Sequence, residues 1–122
     1  MSAIDIFLLL LGPALVALDI PWSLVFSDTL VSGGDNPAHP VLMASVKEAL
    51  FSHLSIIHYS TKFWSGFEVF QFYFPLPYIF GAGLSLVIPF NVAFKLTTIL
   101  GLLLLPAAFF AVAKSMRLGL LA

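Results

Sequence analysis

Three apolar stretches with few charged residues constrain the fold of this chain more than any other feature of its sequence. They cover residues 4 to about 26, about 70 to 89, and 92 to 113. A helix needs about 20 apolar residues to cross the hydrocarbon core of a bilayer. Charged residues make up only 9% of the chain, compared with about 25% in ordinary soluble domains. The sequence therefore predicts an all-α integral membrane protein with three transmembrane helices.

The chain length leaves room for these three spans and one substantial loop, residues 27–68, between the first and the second. We predict a single membrane domain over residues 1–122, with membrane lipids as its immediate partners. The sequence stops shortly after a predicted helix boundary, which indicates the N-terminal piece of a larger protein. A net charge of −1 with scattered basic residues argues against a nucleic-acid partner.

The loop contains a segment, residues 37–57, with the pattern of an amphipathic helix. Asn36 followed by Pro37 is a favourable helix start, because a capping side chain precedes proline at the first helical position. One face recurs at intervals of three and four and is apolar except for His53, with Leu42, Val46, Ala49, Leu50, His53, Leu54 and Ile57. Polar side chains form the opposite face, at Ser45, Glu48, Ser52 and Ser55. This pattern predicts an interfacial helix that lies on the membrane surface.

A second part of the loop and the following stretch, residues 59–80, contains ten aromatic residues. Tyrosine and tryptophan are enriched at membrane–water interfaces, where one end of the ring is apolar and the other is polar. The density of aromatic side chains therefore favours an interfacial belt beside the second span.

Residues 32–40 form a polar island in this apolar chain, and they hold the strongest candidate for chemistry. Gly33 and Gly34 permit a turn that residues with a Cβ resist. Asp35 is a candidate general base, since a carboxylate at the mouth of a membrane cavity can accept a proton. His39 lies about one helical turn further on, so Asp35 and His39 could share a proton, a phosphate or a divalent metal ion. The alternative is a capped turn, in which Asp35 accepts backbone N–H groups and His39 is solvated.

Four short motifs follow one another in an order that resembles a known group of membrane proteins. They are Gly33-Gly34-Asp35 with His39-Pro40, Trp64-Ser65-Gly66, Phe72-Tyr73-Phe74-Pro75-Leu76-Pro77-Tyr78, and Ala93-Phe94-Lys95-Leu96. Over roughly residues 4–119, the chain resembles the N-terminal part of multipass proteins described as "6-pyruvoyl-tetrahydropterin synthase-related". These are similar to GT-C glycosyltransferases, which take sugars from polyprenyl-phosphate donors.

The resemblance implies a function for Asp35. In GT-C enzymes, an acidic residue in the first extracytoplasmic loop activates the acceptor or helps to bind a divalent metal ion, and Asp35 matches it by position. It also implies a bacterial or archaeal inner membrane. The chain departs from the pattern in two respects: three spans cannot enclose a lipid-linked donor, and a second acidic loop motif is absent from the sequence.

Further residues are candidates for binding a sugar or a lipid phosphate. Glu68 is predicted to bind a sugar hydroxyl, or else to pair with Lys62. Lys95 is predicted to bind a lipid phosphate, or else to extend its ammonium group to the head groups. Trp64 and Tyr73 are predicted to stack on a sugar, or else to act as membrane anchors.

Two histidines of the loop, His53 and His58, are five residues apart and so do not share one helical face well. They are candidate ligands for a metal or a magnesium-chlorin pigment. The simpler interpretation is that both histidines lie at the membrane interface.

A different class of function also remains open for the whole chain. A small non-catalytic transmembrane subunit, which stabilises a larger membrane complex, requires only helix packing and no active site.

Overall fold

The computed structural model describes residues 2–30, 32–34, 37–52, 55–61, 66–71, 74–116 and 118. These residues form five helices and a two-stranded antiparallel sheet. The elements are α1 (Ala3–Asp19), α2 (Trp22–Val25), α3 (Ala38–Ser52), β1 (His58–Ser60), β2 (Phe67–Val69), α4 (Leu76–Leu84) and α5 (Phe90–Ser115). The chain divides into two compact units. The first unit is Met1–Trp22 with Thr98–Ala122, and the second is Ser23–Thr97.

The prediction of three transmembrane helices is wrong. Among the described residues, only α5 is long and apolar enough to cross a membrane, with 26 residues and a mean hydropathy of 2.3 over its most apolar 18 residues. Helix α1 has 17 residues, which at about 1.5 Å per residue falls short of the roughly 30 Å hydrocarbon core. Helix α4 has only nine residues. The apolar stretches predicted as the first two spans are therefore divided among shorter elements.

The ends of α1 follow from its sequence. At its start, the Ser2 hydroxyl accepts from the backbone N–H of Asp5 at 3.2 Å, and the Asp5 carboxylate accepts from the Ser2 N–H at 2.7 Å. This reciprocal arrangement is a capping box. At the other end Ile20 is extended, with φ −79° and ψ 126°, because the following Pro21 disfavours a helical conformation for the residue before it.

Within the first unit, α1 contacts the C-terminal part of α5 at two described places. Asp5 forms an ion pair with Lys114, and Gly12 lies so close to Pro106 that a Cβ there would meet the proline ring. The Lys114 ammonium, together with the Ser2 N–H, lowers the pKa of Asp5 to about 2. Glycine at position 12 thus permits a close approach of the two helices.

The second unit has its own hydrophobic core. Its buried members are Leu42, Met43, Val46, Val69, Phe70, Tyr78, Ala82, Ala93 and Phe94. Helix α3 packs on α4, and its buried side chains face the other core members. The prediction of a membrane-surface helix in this loop is therefore corrected. The apolar face of α3 is covered by protein, because α4, β2 and the first turn of α5 supply apolar partners for it.

The two strands correct the all-α prediction. They pair in the register His58↔Val69, Tyr59↔Glu68 and Ser60↔Phe67. Aromatic residues favour strands as well as membrane interfaces, so the aromatic-rich segment contributes to this small sheet. Gly66 enters β2 with φ 114°, and a Cβ at this position would meet the Tyr59 hydroxyl.

Candidate functional site

The polar island leads directly into α3. Gly33 and Gly34 have φ values of 112° and 54°, in the left-handed region that glycine adopts at little cost. The helix begins at Ala38, directly after Pro37, so the turn and the helix start lie where the sequence predicts them. Asp35, between the turn and the helix, lies outside the described residues.

His39, in the first turn of α3, is held by Tyr78 of α4. Its Nδ1 lies 2.7 Å from the Tyr78 hydroxyl oxygen, and the two rings are stacked with centroids 6.1 Å apart. Tyr78 is buried, and its ring packs at 5.2 Å on the ring of Phe70. This contact fixes the half-buried imidazole and joins two of the four sequence motifs, which lie 39 positions apart at His39 and Tyr78.

Lys95, at the start of α5, is buried and fully hydrogen-bonded within the second unit. Its Nζ donates to the backbone carbonyls of Leu24 and Ser27, each at 2.6 Å, and to the Ser27 hydroxyl at 3.2 Å. An ammonium group has three donors, and all three are used here. Binding of a lipid phosphate by Lys95 stays a prediction, and it would require the exchange of one of these bonds.

The remaining sequence candidates are scattered or lie outside the described part of the chain. Glu68 is exposed on β2, opposite Tyr59. Its predicted partner Lys62 lies outside the described residues, as do Trp64, Tyr73 and His53. In the described ranges, no group of three or more His, Cys, Asp or Glu side chains is placed to hold a metal ion. The metal site predicted at Asp35 and His39 therefore stays a prediction.

A hydrogen-bonded chain at His58 was not anticipated from the sequence. Its Nδ1 lies 3.0 Å from the carbonyl oxygen of Ile56, and its Nε2 lies 2.8 Å from the hydroxyl oxygen of Ser45. A carbonyl only accepts, so Nδ1 carries the hydrogen. In the neutral ring Nε2 then accepts from the Ser45 hydroxyl. Ser45, predicted on the polar face of α3, is buried and makes this contact with the residue that opens β1.

This chain of hydrogen bonds lies on the wall of a cavity of about 190 Å³ in the second unit. The cavity is lined by Ser45, Glu48, Ala49, His58, Tyr59, Ser60 and Thr61. Spacing along the sequence gives little sign of it, because α3 supplies one wall and β1 with Thr61 the other. The one sequence pattern that indicates this wall of the cavity is the polar residue at every third or fourth position of α3, at Ser45, Glu48 and Ser52.

Comparison of the chain with protein-family profiles, with curated proteins and with solved structures finds no match in any of the three.

Proposed function

We propose that this chain is the N-terminal membrane module of a GT-C-like glycosyltransferase of a bacterial or archaeal inner membrane, which uses a polyprenyl-phosphate sugar donor. Asp35 acts as the base or as a metal ligand, and His39 assists it. The observation that carries the proposal is the 2.7 Å hydrogen bond between His39 and Tyr78. It joins the polar island to the Pro-Leu-Pro-Tyr segment, two sequence motifs that are otherwise 39 positions apart.

The packing of the fourth motif supports the same proposal. Ala93 and Phe94 belong to the core cluster that contains Tyr78, and Lys95 is buried next to them. Described residues from all four motifs, Gly66 included, thus lie in the second unit. The apolar helix α5, which continues from this motif, is long enough to place the unit at a membrane.

The proposed chemistry is the transfer of a sugar to an acceptor hydroxyl. The acceptor oxygen forms a bond to the anomeric carbon of the sugar while the bond from that carbon to the phosphate oxygen breaks, and polyprenyl phosphate leaves. Asp35 takes the proton of the acceptor hydroxyl, as a general base within hydrogen-bond reach does. If the Tyr78 hydroxyl donates to Nδ1 of His39, the proton of the neutral ring is on Nε2, which then donates to the phosphate.

The first test replaces Asp35 with asparagine in membranes that contain the expressed protein. Asp35→Asn keeps the size of the side chain but removes its basicity, so sugar transfer to the acceptor should be abolished while membrane insertion stays normal. Asp28→Asn is the matched control, because Asn91 donates to Asp28 Oδ1 at 2.8 Å and an asparagine amide keeps that acceptor. Transfer at the wild-type rate by Asp35→Asn contradicts the catalytic assignment. Loss of expression of Asp35→Asn would indicate instead that Asp35 has a structural role, as a cap of the turn before α3.

The second test concerns the His39–Tyr78 contact. Tyr78→Phe keeps the packing on Phe70 but removes the hydroxyl, and His39→Ala removes the imidazole. Both should lower transfer less than Asp35→Asn, because a positioning residue contributes less than the base. Unchanged transfer in both variants would show that sugar transfer does not require the His39–Tyr78 contact.

A second candidate function is a non-catalytic subunit of a larger membrane complex. One observation favours it: α1 buries none of its residues, and apolar side chains of α5 such as Leu102 and Phe109 are more than half exposed. Purification in mild detergent with mass spectrometry distinguishes the two functions. Unrelated partners in fixed stoichiometry support the subunit, whose assembly Asp35→Asn should leave intact. A longer multipass product of the same reading frame supports the enzyme.

A further inference from the structure

The exposed side of α4 and of the turn that follows it is apolar throughout. Residues 74–89 contain no charged residue, and the two side chains with a polar group, Tyr78 and Ser85, are buried. The large exposed side chains of this segment form what we call the α4 surface, with Phe74, Leu76, Phe80, Leu86 and Val87. We propose that the α4 surface inserts into one leaflet of a lipid bilayer. The proposal does not depend on the proposed transferase function, since it follows from this segment alone.

The composition of the α4 surface favours lipid over a protein partner. Phe74, Leu76 and Val87 are each more than 70% exposed, and apolar surfaces of this kind mark contact with a membrane or with other protein. A protein interface has a polar rim around its apolar core. Here the remaining exposed positions supply no polar side chain, since they are Pro77, Gly83 and Pro89. Hydrocarbon is the environment that matches a surface without polar side chains.

The backbone at the end of α4 is also satisfied in the way that lipid requires. The last four carbonyls of a helix lack partners within the helix, and in a bilayer each must be bonded inside the protein because water is absent. The four carbonyls of residues 81–84 accept from the N–H and the hydroxyl of Ser85 and from the N–H groups of Leu86 and Val87, at 2.7–3.1 Å. The end of α4 therefore needs no water.

Lys47 of α3 completes this arrangement at the turn after α4. Its Nζ donates to the Ser85 carbonyl at 3.3 Å, so the next backbone carbonyl is satisfied as well. The side chain is half-buried, and lysines beside an apolar surface extend the ammonium group to the lipid head groups. The phosphate of a head group carries the complementary charge. Lys47 thus marks the head-group level at the edge of the α4 surface.

The length of α4 limits how deeply the surface enters. Its nine residues extend about 14 Å at about 1.5 Å per residue, less than half of the roughly 30 Å hydrocarbon core. Helix α4 therefore enters one leaflet without crossing the bilayer.

The test measures the depth of single nitroxide labels in the full chain, reconstituted in nanodiscs of phosphatidylcholine and phosphatidylglycerol. The chain has no cysteine, so Phe80→Cys and Val87→Cys each report one position of the α4 surface. Ala44→Cys is the matched control, because Ala44 is exposed on α3 of the same unit. In power-saturation EPR, oxygen concentrates in hydrocarbon and a nickel chelate stays in water. The labels at 80 and 87 should collide more with oxygen than with the chelate, and the label at 44 should show the reverse.

Two outcomes overturn the proposal. If the labels at 80 and 87 meet the nickel chelate as often as the label at 44, water covers the α4 surface. If neither oxygen nor the chelate reaches them, protein covers it, and dipolar coupling between Val87 labels of two molecules would identify a second copy as the partner. If Phe80→Cys alters the fold by circular dichroism, Val87→Cys alone decides, since Val87 is 84% exposed in the turn.

Discussion

The two units of this protein obtain their stability in different ways. In the second unit, Met43, Val46 and Val69 are at most 1% exposed. Among the described residues, every buried polar side-chain atom has a hydrogen-bond partner. In the first unit, by contrast, α1 buries no residue at all, and Leu18 is 80% exposed.

This difference shows where each unit finds its apolar contacts. The second unit buries part of its apolar side chains in a core of its own, although others, such as Phe74 and Val87, are more than 80% exposed. The first unit leaves large apolar surfaces uncovered, and contiguous surfaces of this kind mark contact with a membrane or with other protein. Since α5 has the length and hydropathy of a membrane span, we expect lipid or neighbouring membrane helices to cover the first unit.

The largest effect should come from opening the core of the second unit. Met43→Ala removes a side chain that is 1% exposed, and such truncations lower the free energy of unfolding by about 2–5 kcal/mol. Leu10→Ala in α1, where the side chain is 60% exposed, should lower it by less than about 0.5 kcal/mol in the same detergent. Chemical denaturation followed by circular dichroism measures both. Equal losses in the two variants contradict the distinction between the units.

A smaller effect is expected at the buried ammonium of Lys95. Lys95→Met keeps the length of the side chain but leaves the Ser27 carbonyl without its described donor, while the Leu24 carbonyl still accepts from the N–H and the hydroxyl of Ser27. Unsatisfied buried groups cost about 1–3 kcal/mol, so the free energy of unfolding should fall by roughly that amount. Lys47→Met is the control, because Lys47 makes one described bond, to the Ser85 carbonyl at 3.3 Å. A larger loss for Lys47→Met than for Lys95→Met would refute the anchoring role of Lys95.

The smallest effect concerns the ion pair of the first unit. The pKa of Asp5 is lowered from 3.8 to about 2, mainly by Lys114. Because the folded pKa lies below the ordinary value, the pair stabilises the folded state above pH 3.8, and the stabilisation is lost as the pH falls towards 2. Titration of the Asp5 carboxyl carbon by NMR should give the low pKa, and Lys114→Met should raise it. A carboxyl that titrates near 3.8 in both proteins would exclude the pair.

The sequence predicted some elements because their signals are local. The apolar run over 92–113 predicted a long apolar helix, which is confirmed as Phe90–Ser115. Helix α3 was predicted over 37–57 and forms over Ala38–Ser52, since Pro37 sets its start. The spans predicted at 4–26 and 70–89 were wrong, because hydropathy alone did not register the break at Pro21 or the late helix start at Leu76.

The site was harder to predict because its contacts join distant parts of the chain. Lys95 meets carbonyls about 70 positions earlier, which the local pattern of α5 does not encode. Ser45 is buried, and its partner His58 lies 13 residues further on, outside the helical pattern of α3. The strand pairing of Tyr59 with Glu68 could not be predicted from the sequence, because aromatic residues indicate a membrane interface as readily as a strand.

Single-cysteine labelling in lipid nanodiscs tests the contrast between the two units most directly. The chain has no cysteine, so each introduced thiol reports alone. Ala44, exposed on α3, represents the outside of the second unit, and Leu104, 54% exposed on α5, represents the apolar surface of the first. With a water-soluble maleimide, Ala44→Cys should react rapidly and Leu104→Cys slowly, because lipid covers Leu104. Equal and rapid reaction at both positions would contradict a membrane-covered first unit.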